Sequence, residues 1–418
     1  MNIGFVATRL AGTDGVSLEA AKLTVIFERM GHRVCYCAGE LSDCAPEGQC
    51  IPELHFAHPT IRAIHDAAYG EGRPKGLDAL IRESAARLRP QIEGFLRDYA
   101  VDLLVVQNAT AIPMNIPLGV ALRDVISGTS IPTVAHHHDL YWERERFLES
   151  GVEDILERCF PPDLPSVRHV VINTLAKAEL RRRRGLESWI LPNVLDFKSG
   201  PDPQTDRVVE LRRGLGLSTD DVVILQPTRI VPRKGIEHAI ELVSRLEPSM
   251  RPRNLRLLIS HQTGDEGKDY LTGLRSLARS SNVDLLLAGD RFAACRQEAS
   301  AGIERFGLQD AYSCADFVTY PSRIEGFGNA FLEAVFYRSP LMINRYPVYV
   351  ADIEPCGFDV VSIDGAVTDG AVANVLDLLN DPNRRREMTD HNYAVASQHF
   401  SYEVAQRCLE ETLASFGV

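Results

Sequence analysis

The chain has 418 residues, of which 45% are hydrophobic and 24% charged, an ordinary globular balance that excludes a disordered or fibrous protein. Asp and Glu total 57 against 45 Lys and Arg, a formal net charge of −12, which argues against non-specific binding to nucleic acid or anionic lipid and leaves room only for a local basic cleft. No run approaches the ~18 apolar residues of a membrane span, and the opening MNIGFVATRL has no basic segment leading into a long apolar stretch, so a cytoplasmic protein of two or three domains is expected.

The first forty residues read as strand, loop, helix, strand. NIGFVAT (2–8) is a short apolar run and LAGTDGVS a loop with glycines at 12 and 15. LEAAKLTVIFERM (18–30) sets Leu18, Ala21, Leu23, Val25, Ile26 and Met30 at helical spacing, with Gly31 where a C-cap glycine belongs. HRVCYCA returns as a strand, so a right-handed β-α-β unit and a parallel sheet are expected. Helix is expected over 77–99 and 113–127, and strand over 101–108, IPTVAHHHD (131–139) and HVVINT (169–174). LAKAELRRRRG comes next as a helix, and its Arg181–Arg184 read as a solvated end that complements the macrodipole.

Residues 191–207 carry three prolines and little apolar content and read as a linker. A second alternation comes after it: strand 221–226, helix 236–246, strand 255–260, helix 267–280, strands 283–289 and 316–321, helix 329–337 and strand 341–344. FDVVSID and two C-terminal helices close the chain. Two doubly wound α/β domains of similar size are therefore expected, with ligands beyond the carboxyl ends of the strands, in a cleft between the domains.

Nine cysteines with no export signal are expected to be thiols. Cys35, Cys37, Cys44 and Cys50 fall within 16 residues, but their spacing matches no common zinc site. Cys35 and Cys37 share one face of a strand, where buried thiols behave as small hydrophobes.

Four polar clusters sit at the expected strand ends. GTDG (12–15) precedes a helix, where small residues let backbone amides approach an anion; a plain turn capped by Asp14 or Ser17 explains it as well. PTRIVPRKG (227–235) puts Arg229 and Lys234 five apart before a helix starting at Ile236. Two cations there oppose the macrodipole unless an anion such as a diphosphate sits between them; Arg233 is the adjacent, outward-facing cation. SRIEGFGNAFLEA (322–334) carries Gly326 and Gly328 in a loop, a helix from near Asn329, and Glu325 and Glu333 on either side. AHHHDLYWERERF (135–147) ends a strand in three histidines, of which at most two can share a face and so a metal, and Asp139 is placed to cap the segment after it.

Together these residues resemble the retaining glycosyltransferases of family 4, of GT-B architecture. The shared marks are GTDG, the strand-end His-Asp, PNVLDF at the interdomain linker, RIVPRKG, and EGFGNAFLEA, which matches the family's E-x7-E. The resemblance spans the whole chain in order. It departs where the family often has Gly-Arg and this chain has Thr228-Arg229, and where Asn193-Val194 replaces Asn-Gly-Val; both departures bear on the subfamily more than the activity.

The resemblance implies two Rossmann-like doubly wound parallel-sheet domains: an acceptor domain over 1–196, joined by the C-terminal helix at about 396–418, and a nucleotide-sugar domain over 197–395. It implies a retaining hexosyltransferase that uses a UDP- or GDP-sugar and a hydroxyl acceptor, with no cofactor and no metal. The absence of any Asp-x-Asp fits that expectation. By resemblance, Arg229 and Lys234 hold the diphosphate, Glu333 the ribose, Glu325 the donor sugar, and Gly326, Phe327, Gly328 and Asn329 line the donor. His138, rather than His136 or His137, faces the sugar near the reacting carbon, and Gly12 or Gly15 lets the first loop approach. The implied partners are a nucleotide sugar and a small-molecule or glycan acceptor, with no nucleic acid, no membrane segment, and room for a homodimer. Arg62, Arg73, Lys75, Arg82, Arg144 and Arg146 suit an anionic acceptor, though solvated loops explain them equally well. SHQTGDEGKDY (260–270) is placed near the nucleotide base. The alternative is a nucleotide-sugar epimerase on the same fold. An NAD dehydrogenase is disfavoured by the missing G-x-G-x-x-G, and a non-enzymatic sugar-binding protein by the missing export signal.

Overall fold

A computed structural model describes all residues except 13, 43–44, 202–204, 264–267, 294–305 and 418. The chain forms two compact units, Met1–Val194 with Tyr402–Val418, and Leu195–Ser401. Cys44 of the cysteine cluster, Thr13 of GTDG and residues 264–267 of the expected base-binding segment lie outside the described residues.

The first unit is built on seven strands: β1 (Asn2–Ala7), β2 (Arg33–Ala38), β3 (Gly48–Cys50), β4 (Leu103–Gln107), β5 (Thr133–His137), β6 (Val167–Val171) and β7 (Ser188–Ile190). All pair in parallel, in the order β3-β2-β1-β4-β5-β6-β7. Side-chain alternation gives the sheet two cores. Ile3, Phe5, Ala7, Leu103, Val105 and Val134 face one of them; Val6, Cys35, Cys37, Leu104, Val106 and Ala135 face the other. The two cysteines are thus buried thiols, and burial pushes Cys35 up to about 11 and Cys37 up to about 12.

The second unit contains β8 (Val222–Gln226), β9 (Leu255–Ile259), β10 (Asp284–Leu287), β11 (Phe292–Ala293), β12 (Phe306–Gly307), β13 (Phe317–Tyr320), β14 (Leu341–Asn344) and β15 (Val361–Ile363). Six of these form a parallel sheet in the order β10-β9-β8-β13-β14-β15, and β11 pairs with β12. The runs LLVVQ of β4 and VVILQ of β8 are buried along their whole length, because helices cover both faces of a parallel sheet. Strand order reverses between β1 and β4 and between β8 and β13, the crevices where doubly wound sheets take ligands.

Three readings need correction. Three helices, not two, close the chain: Asp369–Asn380, Pro382–His399 and Tyr402–Ala414. Asp381 accepts from the N–H groups of Asn383 and Arg384 and Pro382 opens the next helix, so the periodic run is broken there. Met388 keeps the middle helix in the second unit, and Ala405 and Leu409 place the last in the first unit, so the division falls at 401/402. The segment 191–207 is also not a plain linker. Leu191, Val194 and Phe197 are buried, and a helix starts at Thr205. The Phe197 ring meets Tyr393 at 5.0 Å and Phe336 at 5.5 Å, edge to face; its burial is worth about 1.5–3 kcal/mol, which fixes the first division at 194/195.

Candidate active site

In the second unit the loop after β8 makes one tight turn, Pro232–Lys234, before Gly235 opens the helix Ile236–Met250. Gly235 has φ +60°, and a Cβ there would lie 2.4 Å from the Pro321 carbonyl oxygen. Glycine is what lets the loops after β8 and β13 meet. Lys234 is buried, and its ammonium contacts Glu325 Oε1 directly; it also lies 5.7 Å from the Tyr320 ring centre. Arg233 is exposed, as expected, yet its Nη1 donates to Glu325 Oε2 at 3.2 Å and to the Ile324 carbonyl at 3.2 Å. Glu325 thus supplies an anion that the sequence argument sought for Lys234 in a ligand.

Burial alone would raise the Glu325 carboxyl, but Lys234 and Arg233 outweigh it and hold it below its usual range. Burial draws the Lys234 ammonium down, against Glu325. Arg229 is exposed, and its guanidinium has no hydrogen bond or ion pair among the described residues, while its carbonyl accepts from the Val231 N–H at 3.1 Å. His261, inside the segment expected near the nucleotide base but not singled out there, comes after β9 beside these cations. Its Nδ1 lies 3.1 Å from Ser260 Oγ, and burial, with Lys234 and Arg229 nearby, pulls it down to about 4.

The helix Asn329–Phe336 begins where expected, after Gly328 at φ +134°. A Cβ on Gly328 would lie 2.4 Å from Tyr346 Oη, which donates to the Phe327 carbonyl at 2.7 Å. Phe327 is buried and turns inward. Glu333 accepts from Tyr312 Oη at 2.8 Å; Tyr312 is buried and stacked on Tyr337. No linear signal marks Tyr312, since it meets Glu333 only through packing.

In the first unit Asp14 Oδ1 accepts from the N–H groups of Val16 and Ser17 at 3.1 Å each, and Gly12 sits at φ +78°. These amides of the first turn are capped by Asp14, so GTDG takes the capped-turn form, and Gly15 is the first residue of the helix Gly15–Arg29. Arg181–Arg184 behave as a helix end. Arg182 and Arg183 pair with Glu179, and Arg184 donates to the carbonyls of Phe160 and Pro161.

The three histidines divide as strand geometry requires. His137 Nε2 lies 3.0 Å from His169 Nδ1 on one side of the sheet. The rings of His136 and His138 share the other, 4.3 Å apart. Gln107 Oε1 lies 3.1 Å from His136 Nδ1 and 2.9 Å from His138 Nε2. Asp139 caps no helix; it accepts from Asn108 Nδ2 at 2.9 Å and pairs with Arg144. Burial pulls His138 down to about 4, against Asp139 and Asp14. Gln107 and Asn108 were missed because they read as the tail of a buried strand.

Among the described residues no group of three or more His, Cys, Asp or Glu is arranged to hold a metal ion, and no helix is long and apolar enough to cross a membrane. A groove of about 750 Å³ lies at the amino-terminal ends of β9 and β10, by Asn254, Arg256 and Asp284, and no residue of the site lines it.

No family model matches the chain. It is 33% identical to a mannosylglucosylglycerate synthase of Thermotoga maritima, over 96% of this chain and 97% of that one. It is 32% identical to a mannosylglucosylglycerate synthase of Petrotoga mobilis, over 87% and 86%. Among solved structures, the sucrose-phosphate synthase of Thermosynechococcus elongatus superposes with a TM-score of 0.68 at 14% identity, covering 100% of this chain and 99% of that one, a likeness of fold.

Proposed function

Because the chain belongs to the mannosylglucosylglycerate synthase family of glycosyltransferases, we propose that it moves a mannosyl group from a nucleoside-diphosphate mannose to a hydroxyl of glucosylglycerate. It is a hexosyltransferase of two Rossmann-like units, of the GT-B class, and draws on a nucleotide sugar. The observation that carries the finer reading is the 33% identity along nearly the whole of both chains. Two of the first unit's arginines expected to suit an anionic acceptor already pair with carboxylates of the chain, Arg73 with Asp78 and Asp154 and Arg144 with Asp139.

In this reading Arg229 and Lys234 hold the diphosphate and stabilise charge growing on the leaving group. Lys234 then bridges the phosphate and Glu325, whose carboxylate keeps lone pairs for a donor hydroxyl. Glu333, held by Tyr312, takes the ribose; Gly326, Phe327, Gly328 and Asn329 line the donor. His138 faces the sugar, with Gly12 and Gly15 in the neighbouring loop. Transfer proceeds with retention: the bond from the anomeric carbon to phosphate breaks, the acceptor oxygen bonds to that carbon on the same face, and its proton passes to the leaving phosphate. Charge neutralisation by Arg229 and Lys234 makes the reaction independent of metal.

The epimerase reading is not favoured, since the full-length relatives are named for a joined glycosidic product. The test is incubation with GDP-mannose or UDP-mannose and glucosylglycerate, with the product examined by mass spectrometry and NMR. A product joined with the donor's anomeric configuration is expected. Free mannose alone, or a donor epimerised without acceptor, would overturn the proposal.

A further inference from the structure

We infer that Gln107 is a positioning residue that fixes the tautomer and aim of His138, leaving Nδ1 of that ring as the acceptor offered to a hydroxyl of the donor sugar. The inference rests on the placement of His138 at the sugar proposed above.

Gln107 ends β4 and is the register partner of His136 on β5. It is 1% exposed, and its Oε1 lies within hydrogen-bond distance of two imidazole nitrogens, His136 Nδ1 at 3.1 Å and His138 Nε2 at 2.9 Å. With the carboxamide oxygen turned to both rings, an acceptor with two lone pairs, both nitrogens carry their hydrogens. His138 is then the Nε2–H tautomer with a bare Nδ1. His136 is left with a bare Nε2, and that atom is buried with no partner. Of the three strand-end histidines, His138 is the one that is not fully buried.

The backbone is held as firmly as the ring. Asn108 Oδ1 accepts from the His138 N–H at 3.0 Å, Asn108 Nδ2 donates to Asp139, and the Asn108 N–H donates to the His136 carbonyl at 2.9 Å. Asn108 does this at φ +59°, a left-handed conformation that asparagine enters more easily than most residues. Gln107 and Asn108 together therefore grip His138 on its side chain and its main chain.

A second buried glutamine gives a contrast in how its carboxamide is satisfied. Gln226 ends β8, and both ends of its carboxamide are satisfied: Nε2 donates to Thr228 Oγ1 at 2.8 Å and Oε1 accepts from Thr319 Oγ1 at 2.8 Å. Gln107 Nε2, by contrast, is buried without a partner. Leaving such a group unsatisfied costs about 1–3 kcal/mol, which an apolar residue would avoid. What the glutamine gains is a carbonyl shared by two imidazoles.

The test combines NMR of ¹⁵N-histidine-labelled full-length protein, with His138 assigned from a His138→Asn variant, and turnover with nucleotide-mannose and glucosylglycerate. In Gln107→Met the Nε2–H signature of His138 should be lost, and kcat should fall by roughly 10²-fold, the scale of a misplaced group, while KM for the nucleotide sugar changes by less than about threefold. Gln107→Glu keeps two acceptor lone pairs. It should retain the Nε2–H signature and most of the turnover, and should move the acid limb of the kcat profile to higher pH. The other titratable groups acting on His138, which are Asp139, Asp14, Lys22, His136 and His137, stay the same in both variants. An unchanged His138 spectrum in Gln107→Met overturns the inference. A changed spectrum with unchanged turnover overturns instead the placement of His138 at the sugar. If the methionine variant does not fold, a Gln107→Glu profile identical to the parent's overturns the inference by itself.

Discussion

At the carboxyl ends of β4 and β5 in the first unit the buried polar side chains are a glutamine and imidazoles, Gln107, His136 and His137, with burial drawing the histidines down and His138 to about 4. At the switch point of the second unit they are ionised: Lys234 against Glu325, with Arg233 on the same carboxylate and Arg229 beside them. Both sets stand on the carboxyl ends of parallel strands buried on both faces. The difference fits the roles proposed for the two sets. Neutral donors and acceptors in fixed directions select hydroxyl groups, whereas a clustered positive charge selects a diphosphate and stabilises it further as it leaves. Glu325 offsets part of the positive charge of that cluster.

The sharpest way to break this comparison is to remove a charge. Lys234→Ala should lower kcat by roughly 10²–10³-fold, the scale of losing one electrostatic stabiliser. Steady-state turnover checks it, and near-normal kcat would remove Lys234 from the leaving-group site.

A second expectation concerns acid. His138 and His169 sit at about 4 in the folded chain against an ordinary 6.5, and burial is the main cause for both. The unfolded chain takes up protons below 6.5 that the folded chain refuses, so their stability is complete above 6.5 and drains as pH falls towards 4. Each contributes up to about 3 kcal/mol over that window. In the second unit His261 loses stability over the same window. The Glu325 carboxyl, held below its ordinary 4.5, gives up its share only below that value. Hydrogen exchange, corrected for intrinsic rates, should show β5 and β6, beside the four depressed histidines His136, His137, His138 and His169, losing more protection between pH 6.5 and 5 than β8 and β9, beside His261.

Smaller again is Tyr312→Phe, which removes the buried donor to Glu333. One such hydrogen bond is worth about 1.5 kcal/mol, so KM for the nucleotide sugar should rise by roughly tenfold at most with kcat little changed. The smallest expected effect is that of chelation: excess EDTA should leave turnover unchanged, and loss restored by Mn²⁺ or Mg²⁺ would contradict charge neutralisation by Arg229 and Lys234.

Much of this could be read from the linear sequence because local rules carry it. Apolar runs such as VVILQ announce buried parallel strands, and the polar loops after them announce switch points. RKG and EGFGN were legible because their glycines and charges are contiguous. The Lys234–Glu325 contact joins residues 91 positions apart, and so shows in neither motif alone. Gln107 and His138 are 31 apart and meet only because β4 pairs with β5 in the register that sets Gln107 against His136. Phe197 looked like linker because its partners, Phe336 and Tyr393, lie far along the chain. In each case the missing information is a tertiary register, which no local pattern encodes.

The division of labour between the two clusters is tested most directly by calorimetric titration of the full-length protein with the nucleoside diphosphate of its donor, lacking the sugar. Lys234→Ala should weaken that binding at least tenfold, the loss of one charge-assisted contact, while His138→Ala should leave it unchanged. Equal weakening by both variants, or none by Lys234→Ala, would contradict the account.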